Sequence, residues 1–181
     1  MTISLFELFK IGVGPSSSHT VGPMVAARRF STWLEEQNLF DRAVHIEADL
    51  YGSLALTGKG HAADTAIVAG LAGEIPARTS LAAIKAHWDR ATSEGFLYLL
   101  GRQRVRFQPL RDLHFQMRQR QPFHSNAMSF TARGGDGEIL VKRMYFSIGG
   151  GLGGGGDGAG GQSRRGGSRG GAAGAFPSVF L

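Results

Sequence analysis

From Gly149 onward the chain loses the means to build a hydrophobic core. Residues 149–174 contain 15 of the chain's 28 glycines, interleaved with Ala, Ser and Arg. Such a segment cannot bury enough apolar area to offset its conformational entropy, so disorder is expected there. The closing Phe176-Pro-Ser-Val-Phe-Leu181 is too short to fold alone. Folding falls to residues 1–150, read as one domain with room for a sizeable core, and residues 151–181 are read as a disordered Gly/Arg/Ala-rich tail. The formal charge of +6, of which the tail contributes +2, permits anionic partners without showing any. No apolar run approaches the roughly 20 residues of a membrane span. Met1-Thr-Ile-Ser-Leu5 lacks the basic start and long apolar stretch of a signal peptide, so cytoplasm is the expectation. With no cysteine, the chain has no disulfide and no thiolate metal ligand.

Within residues 1–150, helical patterns come early and strand patterns late. Leu5, Leu8 and Phe9 have the spacing of a helical turn. Pro23 to Leu39 reads as a helix whose Met24, Ala27, Phe30 and Trp33 recur at three-residue steps. Ala43 to Tyr51 alternates and predicts a half-buried strand, with Val44, Ile46, Ala48 and Leu50 inward and His45, Glu47 and Asp49 outward. Leu54–Thr57 reads as a helical turn, Ala62–Leu71 and Leu81–Ala91 as helices. Phe96–Leu100 and Val105–Phe107 are short strands, and the alternation of Leu113, Phe115 and Met117 favours a strand within Gln108–Gln121. Met128–Ala132 and Ile139–Ile148 flank Gly134-Gly-Asp-Gly137, a hairpin signal. The fold class is α+β, helices packed on a mostly antiparallel sheet.

The chemistry concentrates in Ile11-Gly-Val-Gly-Pro-Ser-Ser-Ser-His-Thr-Val-Gly-Pro23. Gly12 and Gly14 allow a turn, Pro15 stiffens its exit, and the loop runs into a helix N-terminus. Free backbone N–H groups and the positive dipole end collect there, and Ser16, Ser17 and Ser18 add hydroxyls. The loop reads either as an N-cap or as a receptor for a carboxylate or phosphate. Lys59 and His61 sit in Gly58-Lys-Gly-His-Ala-Ala-Asp64, where flanking glycines allow close backbone approach. An imidazole near its ordinary pKa accepts a proton at neutral pH, which makes His61 the candidate general base, with Asp64 either holding its ring or sitting in the first helical turn.

Four stretches, in order, resemble bacterial iron–sulfur-dependent L-serine dehydratases (L-serine ammonia-lyases). They are Ser4 to Met24, Tyr51-Gly-Ser-Leu-Ala-Leu-Thr-Gly-Lys-Gly-His61, His124-Ser-Asn-Ala-Met128 and Tyr145-Phe-Ser-Ile-Gly-Gly150. The resemblance covers roughly residues 1–150. It implies an α+β domain similar to a substrate-binding domain of some phosphoglycerate dehydrogenases. It also implies loss of water and then ammonia from L-serine to give pyruvate. A base removes the Cα proton and a four-iron four-sulfur cluster acts as Lewis acid on the leaving hydroxyl. The cysteines that hold such a cluster lie in a further domain of the family, so this chain is expected to be incomplete as an enzyme without a cluster-binding domain or second chain.

By the same resemblance Ser16, Ser17 and Ser18 hold the substrate carboxylate, and His19, Thr20, Lys59, Asp64, His124, Asn126 and Ser147 join them as substrate-binding candidates. The full enzyme is expected to be a homo-oligomer, with no membrane partner and no metal ligand from this chain. Where the family pattern reads Gly-His-Gly-Thr-Asp, this chain has Ala62-Ala63 in place of Gly-Thr, which removes a hydroxyl. Ala127 replaces the glycine of His-Pro-Asn-Gly-Met, so a positive φ there would be strained by about 1 kcal/mol.

Two other readings belong to different classes. One is a serine-binding or regulatory module derived from such a domain. The other is a nucleic-acid binder that uses six arginines between Arg102 and Arg120 and the single Arg164-Arg-Gly-Gly-Ser-Arg169 box; a solvated strand face is the simpler account of the arginines. The abrupt change after Gly150, into residues with GC-rich codons, carries the expectation that residues from about 151 onward are a frameshift or similar truncation product.

Overall fold

The computed structural model describes residues 16–58, 62–119, 121, 124–147 and 178–180. The turn predicted at Leu5–Phe9, Gly12 and Gly14 of the serine loop, Lys59, His61 and most of the tail lie outside these residues. A π-helical turn, Ser17–Val21, leads into α1 (Gly22–Glu36). There follow β1 (His45–Tyr51), α2 (Gly52–Thr57), α3 (Ala63–Leu71), α4 (Leu81–Glu94), β2 (Phe96–Leu99), β3 (Gln103–Arg106), α5 (Pro109–Asp112), β4 (Leu113–Gln116), β5 (Asn126–Arg133), β6 (Ile139–Phe146) and β7 (Ser178–Phe180). No helix among the described residues is long and apolar enough to cross a membrane.

The sheet runs β2-β3-β1-β5-β6-β7, with β4 also paired to β1. Its long ladders, β1 with β5 and β5 with β6, are antiparallel, as is the β2–β3 hairpin. β3 and β4 lie parallel to β1, β3 at His45 and β4 along Ala48–Tyr51. The α+β class and the mostly antiparallel sheet are as the sequence predicts. The end of the tail, expected to be disordered, is instead a strand: Ser178–Phe180 use β6 as a template, pairing in parallel with Met144–Phe146.

α1 and α3 cover one sheet face. The core joins Ala27, Phe30 and Leu34 of α1, Ile67 and Leu71 of α3, Ile46, Ala48 and Leu50 of β1, and Met128 and Phe130 of β5. Phe30 stacks on Phe130 at 5.3 Å between ring centroids, and Phe130 meets Tyr145 of β6 edge-on at 5.7 Å. The helices cross at Gly70, where a Cβ would stand 2.3 Å from the Met24 carbonyl oxygen.

Two further sequence expectations are corrected. α1 stops at Glu36, short of Leu39, because Asn38 adopts φ 57° and donates to Glu35 O, a helix-ending conformation that asparagine tolerates. β1 is not half-solvated: Val44 precedes the strand and is 41% exposed, whereas His45 and Asp49 are buried. His45 Nδ1 accepts from Arg106 at 3.1 Å, and its Nε2 lies 3.2 Å from Asp112 Oδ1 but off the hydrogen-bond line. The strand favoured within Gln108–Gln121 is β4, Leu113–Gln116; before it Pro109 opens the short α5, stabilised by Gln108 N–H donating to Asp112 Oδ2 at 2.8 Å.

Candidate functional site

Three strand ends and one helix start meet at one edge of the domain. In the sheet, Tyr51, the last residue of β1, pairs with Ala127, which pairs with Phe146, the last residue of β6. Beyond Tyr51 the chain turns into α2 at Gly52, with φ 55°, where an added Cβ would stand 2.4 Å from Ser125 O. Only glycine fits that turn. The next residue, Ser53, donates its N–H to the same Ser125 oxygen at 2.9 Å. Ser147, just past β6, donates its N–H to Asn126 O at 2.9 Å and its hydroxyl to Ser18 O at 2.9 Å. The serine loop is thereby clamped to the sheet. Gly22 permits the contact, because a Cβ there would lie 2.0 Å from Ser147 Oγ.

The structure brings together Ser16, Ser17, Ser18, His19, Thr20, His124, Asn126 and Ser147. Ser16 acts as cap: its Oγ accepts from His19 N–H at 3.3 Å, while its carbonyl accepts from Thr20 and Val21 N–H. The Ser18 hydroxyl bonds His19 Nδ1 at 2.8 Å, and His19 Nε2 bonds the Ser53 hydroxyl at 3.0 Å. Both ring nitrogens are held, so His19 orients the loop. Thr20 is buried, and Ser17 is exposed with no side-chain partner among the described residues. The wide π-turn is a backbone form found often at functional sites.

Asn126 supplies an unmet need. It is 9% exposed, and its Oδ1 has no hydrogen-bond partner among the described residues. A buried carbonyl oxygen without a donor costs about 1–3 kcal/mol, so it is an acceptor ready for a ligand N–H. His124 Nδ1 accepts the Asn126 backbone N–H at 3.0 Å. A neutral His124 therefore carries its proton on Nε2 and offers a donor, not a base. Ala127 is an ordinary strand residue without positive φ, so the strain considered there is absent. The left-handed residue is instead Ala62, at φ 59° and ψ 29°, where the family pattern has glycine. Asp64 sits in the first turn of α3, and its Oδ1 accepts the Thr65 N–H at 2.8 Å.

Sequence reasoning missed Ser53, although it lies inside a quoted stretch; its signal was the Gly52 turn beside it. It also missed a second polar network on the sheet face away from the helices. Asp49 accepts from Gln116 at 3.1 Å, Ser129 at 3.2 Å and Lys142 at 3.3 Å, with His114 Nδ1 at 3.2 Å. Burial pushes the Asp49 carboxyl upward, but the Gln116 bond and the charges of Lys142 and His114 outweigh it and hold the pKa below the usual value. The arginine-rich stretch is largely committed elsewhere. Arg102 pairs with Glu35, Arg104 stacks on Phe96, Arg106 bonds His45 and Arg111 pairs with Asp112. No group of three or more His, Asp or Glu side chains among the described residues is placed to hold a metal ion.

A family model described as "Serine dehydratase beta chain" matches residues 4–153. L-serine dehydratase 1 of Escherichia coli (strain K12) is 45% identical over 150 residues, covering 82% of this chain and 33% of that relative. L-serine dehydratase TdcG of the same organism is 47% identical over 150 residues, with the same coverage. L-serine dehydratase of Streptomyces coelicolor is 39% identical over 151 residues, covering 83% of this chain and 33% of the relative. The chain thus spans about a third of the length of the curated relatives it matches.

Proposed function

The chain belongs to the serine dehydratase beta-chain family, and on that premise we propose that it is the substrate-binding part of an L-serine dehydratase, an L-serine ammonia-lyase that yields pyruvate and ammonia. The observation that carries this reading is the hydrogen-bonded assembly of the serine loop with Ser53 and Ser147, joined through Ser147 to Asn126, whose Oδ1 has no partner among the described residues. An amino acid offers a carboxylate and an ammonium group. The exposed Ser17 hydroxyl suits the carboxylate. Asn126 Oδ1 suits the ammonium, and the His124 Nε2–H is available to a substrate oxygen.

His61 remains the proposed base for the Cα proton, with Lys59 and Asp64 beside it in sequence. Removal of that proton and departure of the β-hydroxyl leave an enamine, whose tautomer hydrolyses to pyruvate and ammonia. The residues of this chain do not fit an iron–sulfur cluster, since there is no cysteine to ligate one. We place that function on a cluster-binding domain or second chain, in a cytoplasmic homo-oligomer.

Titration of L-serine into the chain with Ser16, Ser17 and Ser18 all replaced by Ala tests the assignment. Loss of hydrogen bonds to a carboxylate, at about 1.5–3 kcal/mol each, predicts at least about a tenfold rise in Kd. An unchanged Kd would return the loop to plain capping.

A further inference from the structure

A cleft of about 490 Å³ opens between the outer face of α1, the α3–α4 connection and the β2–β3 turn. Its walls carry three guanidinium groups, Arg28, Arg78 and Arg102, over an apolar floor that includes Ile75 and Leu100. The volume falls in the range of small-molecule sites, roughly 300–1,000 Å³. Arg28 lies near mid-helix in α1, about 9 Å along the axis from Gly22 at 1.5 Å per residue, so this cleft is separate from the serine loop.

Two of the arginines are fixed in place. Arg28 donates its Nε to Gly73 O at 3.2 Å, which leaves its terminal nitrogens without a partner among the described residues. Arg102 donates to Glu35 at 2.7 Å and lies over the Phe40 ring at 5.0 Å. Arg78 is exposed, with no side-chain partner among the described residues. The two carboxylates lining the cleft are already engaged, Glu35 by Arg102 and Glu74 by His87 at 3.0 Å. Arg28 and Arg78 therefore face the cleft with no carboxylate of their own.

We propose that this cleft binds a small oxyanion, a phosphate or a carboxylate carried on a compact organic molecule. A guanidinium held through one nitrogen keeps a planar pair of donors in a fixed direction, the geometry that bidentate oxyanion recognition uses. The apolar floor accommodates a short carbon skeleton. The α3–α4 connection and the β2–β3 turn meet at this cleft: Leu100 N–H donates to Leu71 O at 3.0 Å, and Gly73, at φ 100°, leaves 3.0 Å between a hypothetical Cβ and Leu100 Cα. A ligand held there contacts both connections at once.

The test is a titration of the isotopically labelled full chain with pyrophosphate and, separately, malonate, at about 0.15 M ionic strength to screen diffuse attraction. Saturable amide shifts confined to residues 72–78 and 100–102, with Kd raised about tenfold by Arg78→Ala, are expected. Arg29→Ala, exposed and outside this cleft, should leave Kd unchanged and controls for general loss of charge. Tighter pyrophosphate identifies a phosphate-type ligand and tighter malonate a carboxylate-type ligand. No saturation with either probe, or equal weakening by Arg78→Ala and Arg29→Ala, would overturn the proposal. Amide spectra of both variants establish that the fold is intact, so a null result reads on binding alone.

Discussion

Replacing Gly22 with alanine tests how the serine loop is seated. A methyl there would meet Ser147 Oγ at 2.0 Å and Ser147 Cβ at 2.8 Å. Ser147 is 1% exposed and its hydroxyl is bonded to Ser18 O, so it cannot swing aside without losing that bond. Overpacking costs about 1–3 kcal/mol and the lost hydrogen bond about 1 kcal/mol. Against this, Gly22 has helical φ and ψ of −57° and −52°, where alanine is favoured by up to about 1 kcal/mol. The net expectation for Gly22→Ala is a loss of about 1–3 kcal/mol. Ser147→Gly removes both atoms that the methyl would meet, and alone costs about 1.5–2 kcal/mol through its hydrogen bond and backbone entropy. In the double variant the clash is gone. It should be at least as stable as Ser147→Gly, a coupling of about −2 kcal/mol. Urea unfolding followed by fluorescence of Trp33 and Trp88 measures each corner of the cycle. Additivity of the two substitutions within about 0.5 kcal/mol would show that the loop does not rest on Ser147, and would refute the seating.

Other outcomes follow from single features. The chain alone, after anaerobic reconstitution with iron and sulfide, should form no pyruvate from L-serine, because it contributes no thiolate ligand; appreciable pyruvate would contradict the division of labour proposed. Ala62→Gly relieves a left-handed alanine worth about 1–2 kcal/mol, offset by about 0.4–1 kcal/mol of unfolded-chain entropy, so Tm should rise by about 2 °C. A fall in Tm would show that the φ of 59° is not strained in place. Asp49 and Asp112 both have carboxyl pKa values held below the usual 3.8, against the upward push of burial, by hydrogen bonds and by the cations beside them. Their stabilisation is complete above that value and is lost as pH falls through the lowered folded values. Chemical denaturation between about pH 5 and pH 2 should show this acid limb flattened in Asp49→Asn, and an unchanged slope would discount the network.

The elements with clean periodicity were legible in the sequence: α1 from its apolar steps, the β5–β6 hairpin from alternation around Gly134–Gly137, and β1 itself. Burial of the outward face of β1 was not legible. It depends on His114, Gln116, Ser129 and Lys142 arriving from three other strands, and no local pattern encodes such pairing. The break between α5 and β4 turned on Asp112 reaching back to Gln108, a side-chain contact that alternation cannot reveal. Of the site, the serine loop and the His124–Asn126 segment were readable as chemistry-bearing stretches. Their adjacency was not, because it follows from the register that sets Tyr51, Ala127 and Phe146 side by side. Ser53 went unnoticed because one serine after a glycine looks like a turn until His19 is found bonded to it.

Amide mapping of the labelled full chain during an L-serine titration tests whether this edge of the domain receives L-serine. Saturable shifts are expected at residues 16–20, 53, 124–127 and 147, abolished by Asn126→Ala and absent with D-serine. Saturable shifts that leave these residues unmoved, or no response to L-serine at any concentration up to solubility, would contradict it.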